Sequence, residues 1–348
     1  MKGAATLQKN FNNSGGGKSM KKFFAALLLG AGLIAGAPAQ TQQPVVLKWA
    51  HGYETSEPFH TQAQAMAQKI KVATAGRVEI ELYPASALGG EADYSKKLAA
   101  GEIDMAYIGL NVLARDYASL GVVGFPFLFS DPDHVRRFLV SPVFDELRKG
   151  YEAQSRNHLM AAIYYGARHV TSNKPITSPK DMLGLKLRVP DAPTYKLFAK
   201  SMGATATPMP FAKVYDALKS GEIDAQENPL PTILAKKFYE VQKSVTLTGH
   251  MYDMLGIVIS PAALQRMNAG DRTIVNDIIR KDAVWASVQI IARELVAEGK
   301  LGETGIKVIR PDRQAFVEAA LKAVSPADLQ ARPGDYEKIR DLVKAGAH

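Results

Sequence analysis

Few residues of this chain fall into the patterns that catalysis needs. Its seven histidines (His51, His60, His134, His158, His169, His250 and His348) show no metal-ligand spacing such as H-E-x-x-H. There is no G-x-S-x-G elbow, no aspartate-rich calcium loop and no cysteine, which removes elbow-type hydrolases, EF-hands, thiolate sites and disulfides. Gly17-Lys18-Ser19 imitates the end of a P-loop, but Asn12 stands where the leading glycine belongs. Gly30-Ala31-Gly32 starts a dinucleotide-like pattern inside an apolar run with no βαβ unit around it. No cofactor or metal is expected. What remains is binding chemistry at element ends. Arg188 comes late in the short apolar run Leu185–Val189, just before Pro190, where its planar fork can meet a carboxylate through two parallel hydrogen bonds. In Gln226-Glu227-Asn228-Pro229, Asn228 offers an amide to a carboxylate or hydroxyl at a similar place. Taken alone, an arginine is more often a surface residue.

Placing such groups together requires strands that end where the polar residues begin. Apolar alternation predicts strands over Val45–Ala50, Val78–Tyr83, Ile103–Ile108, Met160–Tyr165, Leu185–Val189, Ala204–Thr207, Ala225–Gln226 and Leu255–Ser260. Helical spacing predicts helices over Phe59–Ala75, Glu91–Ala100, Pro132–Val140, Ala192–Met202, Phe211–Ser220 and Leu230–Glu240. The alternation argues for an α/β fold with largely parallel pairing, whose ligands collect beyond the carboxyl ends of the strands. A pattern from Asp271 to about Glu298 exceeds ordinary helix length and reads either as a brace between domains or as two helices. Leu98-Ala99-Ala100-Gly101-Glu102-Ile103-Asp104 is echoed by Leu218-Lys219-Ser220-Gly221-Glu222-Ile223-Asp224. The echo fits either one αβ unit in each of two similar domains or a shared helix-stop device.

Length and charge bound the class. The 348 residues exceed what one core usually serves, so two domains are expected. With 47% hydrophobic and 22% charged residues the chain reads as soluble and globular. The net charge of +9 is concentrated at the start, where residues 1–39 carry five lysines and no acid. The modest remainder gives no argument for nucleic acid. Met20-Lys21-Lys22, the apolar run Phe23–Ala37 and Ala37-Pro38-Ala39 have the order of a secretory signal over 20–39, with cleavage before Gln40 and a periplasmic product. Residues 1–19 form an extension of unclear status.

The longer motifs carry a resemblance. GLKLRVP at 184–190, MPFAKVYDALKSGEIDAQENP at 209–229 and KKFYEVQK at 236–243 resemble the solute-binding proteins of tripartite ATP-independent periplasmic (TRAP) transporters, of the dicarboxylate/sialic-acid (DctP) type. LYPASALGGE at 82–91, FPFLF at 125–129 and TSNKPI at 171–176 add to it. The resemblance implies a two-domain periplasmic-binding-protein-like fold with crossing strands, one organic anion enclosed in a central cleft, TRAP permease subunits as partners, and no catalysis. Domain I is expected from residues 40–165 plus about 254–293, domain II from 166–253 plus about 294–348, and the protein is expected as a monomer. The carboxylate clamp falls on Arg188, a second arginine on Arg168, the amide on Asn228, the ring beside the ligand on Phe211 and an acidic wall on Glu91. Sialic-acid members carry polar residues where this chain has Gly52, Gly109 and Val112, which leaves a smaller acid, such as a uronate-like sugar acid or a C4-dicarboxylate. His51, Glu91 and Asp191 are available for hydroxyls, and each also fits a solvated loop residue. A periplasmic enzyme acting on a small carboxylate is the alternative.

Overall fold

The apolar runs become strands of one nine-stranded mixed sheet. The computed structural model describes residues 43–342, so the extension 1–19, the signal segment 20–39 and the start at Gln40 lie outside the described residues. The strands are β1 (Val45–Ala50), β2 (Val78–Tyr83), β3 (Met105–Gly109), β4 (His158–Ser172), β5 (Lys186–Val189), β6 (Thr205–Pro208), β7 (Ala225–Pro229), β8 (Ser244–Ile259) and β9 (Lys307–Ile309). Across the sheet they run β2-β1-β3-β8-β4-β7-β5-β6, with β9 beside β8.

This order is nearly symmetric about its middle. In one half β1 pairs parallel with β2 and β3, and in the other β5 pairs parallel with β6 and β7. The echoed heptapeptides occupy equivalent places. Gly101 and Gly221 end their helices at φ +71° and +75°, the left-handed region that favours glycine. Asp104 N–H donates to Lys48 O at 3.0 Å while its carboxylate accepts from Lys48 N–H at 2.8 Å. Asp224 repeats both bonds with Lys186, at 3.0 and 2.8 Å. The echo therefore marks a duplicated αβ unit rather than a bare helix stop.

The expectation of largely parallel pairing holds within each half and fails at the centre, where β3, β8, β4 and β7 pair antiparallel. The chain passes from the first half to the second on β4 and returns on β8, so the two must run in opposite directions. They are also much longer than the apolar runs that predicted them, at 15 and 16 residues. Polar residues such as Arg168, His169, Thr248, His250 and Asp253 interrupt the apolar pattern, yet all are buried. Gly166 faces Asp253 across this ladder beside a register shift.

The long helix Ala269–Glu303 is one continuous element, capped by the Asn268 side chain, which accepts from Asp271 N–H at 2.9 Å. It buries Val275, Ile279, Ala286 and Ile290 in the larger apolar cluster, and Ala297 and Leu301 in a smaller one with Val214, Leu218 and Ile233. It thus braces both halves. The helix Pro142–Ser155 was not anticipated. The terminal helix Asp335–Asp341, expected with the second domain, instead packs on first-half elements, with the Tyr336 ring 5.0 Å from Phe125 and Ile339 O 2.8 Å from His134 Nε2.

Candidate functional site

Between the halves lies a cleft whose wall includes Tyr53, Glu91, Tyr165, Arg168, Arg188, Asp191, Tyr195, Phe211 and Asn228. Arg188 is the third residue of β5 and is 2% exposed. Its Nε and Nη2 both donate to Met209 O, at 3.1 and 2.6 Å, and its guanidinium carbon sits 5.7 Å from the centre of the Phe211 ring. Among the described residues it has no carboxylate at ion-pair distance, and its Nη1 makes no hydrogen bond within the protein. Burial lowers its pKa to about 10, which still leaves a cation at neutral pH. A desolvated guanidinium without a counter-ion is costly, and its planar fork has the chemistry to pair with an anion.

Arg168, on β4, has the opposite environment. Its Nε and Nη2 grip both carboxylate oxygens of Glu227, and Nη1 donates to Asp253 Oδ2 at 3.0 Å. Nη2 also reaches Glu227 O at 2.6 Å and Asn228 Oδ1 at 3.4 Å. Burial works to raise the Glu227 carboxyl, but Arg168 and His250 overturn it and hold Glu227 below the usual range. Burial raises the Asp253 carboxyl despite Arg168, and Tyr195 Oη donates to that carboxylate at 2.7 Å. Arg168 is thus charge-compensated by the protein itself. Asn228 is held too, accepting from Tyr165 Oη at 3.2 Å and donating to Gln226 Oε1.

The facing wall carries one carboxyl group, that of Glu91. Glu91 opens the helix Glu91–Ala100, where a carboxylate suits the positive end of the helix dipole. It accepts from Tyr53 Oη and from Gly109 N–H, each at 3.1 Å, and burial raises its pKa. Asp191 sits at the rim, where Arg115 reaches across from the other half to bind it at 2.9 Å. Gly52, Gly109 and Val112 line the cleft and bring no polar side chain to it. His51 does not line it. It lies beneath, fully buried, with Nε2 3.1 Å from His60 Nδ1 and Nδ1 accepting from Tyr53 N–H at 3.2 Å. Burial and His60 push its pKa down to about 4, so it is neutral and positions Tyr53. Of the seven residues singled out from the sequence, the fold brings six to one cleft and leaves His51 behind it.

The same motifs decide the kinship. Residues 49–327 match the family model DctP, described as bacterial extracellular solute-binding protein, family 7. The chain belongs to the DctP family. It is 32% identical over 289 residues to the sialic acid-binding periplasmic protein SiaP of Vibrio cholerae, covering 82% of this chain and 89% of that one. It is 32% identical over 304 residues to the 2,3-diketo-L-gulonate-binding periplasmic protein YiaO of Escherichia coli, covering 84% and 89%. Among solved structures, a TRAP periplasmic solute-binding protein of Actinobacillus succinogenes with bound L-galactonate superposes with TM-score 0.81 at 26% identity, covering 86% of this chain and 99% of that one. The fold is therefore the two-domain periplasmic-binding type, and the protein is a solute-binding component of TRAP transport rather than an enzyme. The DctP family is periplasmic, and among the described residues no helix is long and apolar enough to cross a membrane.

Sequence reasoning missed several groups that shape this DctP cleft. Tyr53, Tyr165 and Tyr195 line it, and Glu227 and Asp253 neutralise Arg168. Glu227 stood inside the quoted QENP motif and was a readable signal. Asp253 lies 85 positions from Arg168 and meets it only across the ladder.

Proposed function

We propose that this DctP protein captures a small sugar acid, uronate-like in size, by its carboxylate on Arg188 and hands it to a TRAP membrane permease. One observation carries the reading: Arg188, a buried guanidinium without a carboxylate at ion-pair distance, shares one cleft with the carboxyl groups of Glu91 and Asp191. A sugar acid presents one carboxylate to the cation and hydroxyl donors to Glu91 and Asp191. A C4-dicarboxylate would direct its second charge toward those carboxyl groups, where Arg168 is already compensated. Sialic acid, named for the Vibrio cholerae relative, has a long polyhydroxylated tail that Gly52, Gly109 and Val112 cannot serve. The diketogulonate and galactonate named for the other two proteins are of the smaller kind.

Within this reading residues 20–39 direct export and the mature chain starts at Gln40, which amino-terminal sequencing of the exported protein checks. The two domains comprise residues 40–165 with about 254–293, and 166–253 with the chain from about 294 up to the terminal helix. They close about the Gly166–Asp253 crossing, which compaction in X-ray scattering on adding ligand would support. The test of the ligand is thermal stabilisation by uronates, aldonates, C4-dicarboxylates and sialic acid. A true ligand at 100 times its Kd adds about 2.7 kcal/mol. Stabilisation by dicarboxylates with none from the sugar acids would overturn the assignment.

A further inference from the structure

A relay of buried polar groups runs from one half of the protein to the other and ends on the cleft. Glu57, in the first half, immediately precedes the helix Pro58–Ala73 and is 1% exposed. Its Oε1 accepts from Glu54 N–H at 2.8 Å, and its Oε2 lies 2.9 Å from Thr232 Oγ1. Thr232 belongs to the second half, on the helix Leu230–Ala235. Its Oγ1 lies 3.4 Å from Tyr165 Oη, which in turn donates to Asn228 Oδ1 at 3.2 Å. Asn228 gives one amino hydrogen to Gln226 Oε1, which leaves the other uncommitted among the described residues. Thr232, Tyr165 and Asn228 are all buried. Beside this relay a second bridge joins the halves: Lys236 pairs with Glu54 and sits 4.8 Å from the centre of the Phe211 ring, which lines the cleft.

Counting hydrogens shows which state of Glu57 completes the relay. A threonine has one hydroxyl hydrogen. An ionised Glu57 can only accept, so Thr232 gives its hydrogen to Glu57 and turns bare lone pairs to Tyr165 Oη, whose own hydrogen goes to Asn228. A protonated Glu57 donates to Thr232, Thr232 donates to Tyr165, and Tyr165 donates to Asn228, so every hydroxyl is satisfied. Burial likewise raises the Glu57 carboxyl to about 7, against the Glu54 N–H, Thr232 and Lys236, which favour its charged form. The other titratable groups around it are Glu54, paired with Lys236, and Tyr53 and Tyr165, whose hydroxyls burial keeps protonated. His60, in the first turn of the helix, has its ring against His51. Parting the halves would separate Glu57 from Thr232 and give the carboxylate water. We infer that the relay is a proton-linked latch: with a proton on Glu57 it holds the halves together and positions Asn228, and ionisation of Glu57 favours release. The inference rests on the reading of Asn228 as a ligand contact in a cleft that closes on a sugar acid.

Calorimetric titration with D-galacturonate from pH 5 to pH 8 tests the latch. The closed protein keeps a proton that the open one releases, so Kd should rise on the order of tenfold between pH 5 and pH 7 and level off above. Glu57→Gln still accepts from Glu54 N–H and donates permanently to Thr232. It should therefore hold the parent's pH 5 affinity at pH 8, a gain that loss of a merely structural contact would not produce. Thr232→Val breaks the relay and should weaken binding about fivefold at pH 5. X-ray scattering of the ligand-free protein gives a readout independent of the ligand: the parent's radius of gyration should grow from pH 5 to pH 8, and that of Glu57→Gln should not. Failure of D-galacturonate to bind at any pH would overturn the sugar-acid reading, and the scattering alone would then decide the latch. A parent Kd that stays level with pH would overturn the latch. So would a pH course that Glu57→Gln shares, which would point instead to Glu91, the buried carboxyl of the cleft.

Discussion

Arg168 Nη1 lies 3.0 Å from Asp253 Oδ2, an ion pair that ties the two crossing strands together two residues past Gly166. Together with the two-pronged contact to Glu227, it uses Arg168 as internal structure, and in the proposed reading this leaves Arg188 as the cation for the ligand carboxylate.

Arg188→Ala should therefore abolish high-affinity binding with little loss of stability. Removing one partner of a buried charge pair typically costs about 3–5 kcal/mol, or roughly two to three and a half decades in Kd. Arg188→Lys should recover part of this, since an ammonium keeps the charge but loses the fork. Calorimetric titration of each variant with the best acid checks it. Binding of Arg188→Ala within threefold of the parent would refute the clamp.

Arg168→Ala should behave differently, unfolding more easily. It leaves Glu227 and Asp253 both buried without their cation, for about 3–5 kcal/mol of stability. Denaturant titration should show the loss, and Arg168→Ala with Glu227→Gln should regain part of it. An unchanged midpoint for Arg168→Ala would mean that the pair contributes nothing.

Glu57 links the halves, accepting from Thr232 Oγ1 at 2.9 Å and from Glu54 N–H at 2.8 Å, and burial raises its pKa to about 7. From an ordinary pKa of 4.5 up to about 7, the folded protein retains a proton that the unfolded chain has released. The contribution of this group to stability therefore falls as pH rises through that window. Glu57→Gln should match the parent below it and be more stable by up to about 3 kcal/mol at pH 8. Thermal melts across pH 4–8 for both proteins decide this, and parallel curves would exclude Glu57 as the source.

Gly166→Ala should be destabilising at the crossing. The glycine has φ +139°, and a Cβ there would lie 2.6 Å from Pro229 Cβ. Strained backbone of this kind costs about 1–3 kcal/mol before the clash is counted. A melting temperature equal to the parent's would show that the crossing has room to relax.

Much of this protein is local and therefore readable in its residues. Strand alternation placed β1 and β2 to the residue, and Gly101 and Gly221 announced two helix stops because a left-handed cap favours glycine. The RVP and QENP motifs sit at strand ends, so Arg188 and Asn228 could be placed at the mouth of a cleft. Arg188 and Arg168 could not be told apart, because a charge's role depends on which carboxylates the fold brings to it. Glu227 and Asp253 reach Arg168 only after β4 pairs with β7 and β8. His51 failed for the same reason: its loop looked solvated, and packing against His60 beneath Tyr53 removed it from the cleft. The full lengths of β4 and β8 were hidden because their buried polar residues satisfy one another across the sheet, and alternation along a single strand carries no trace of that pairing.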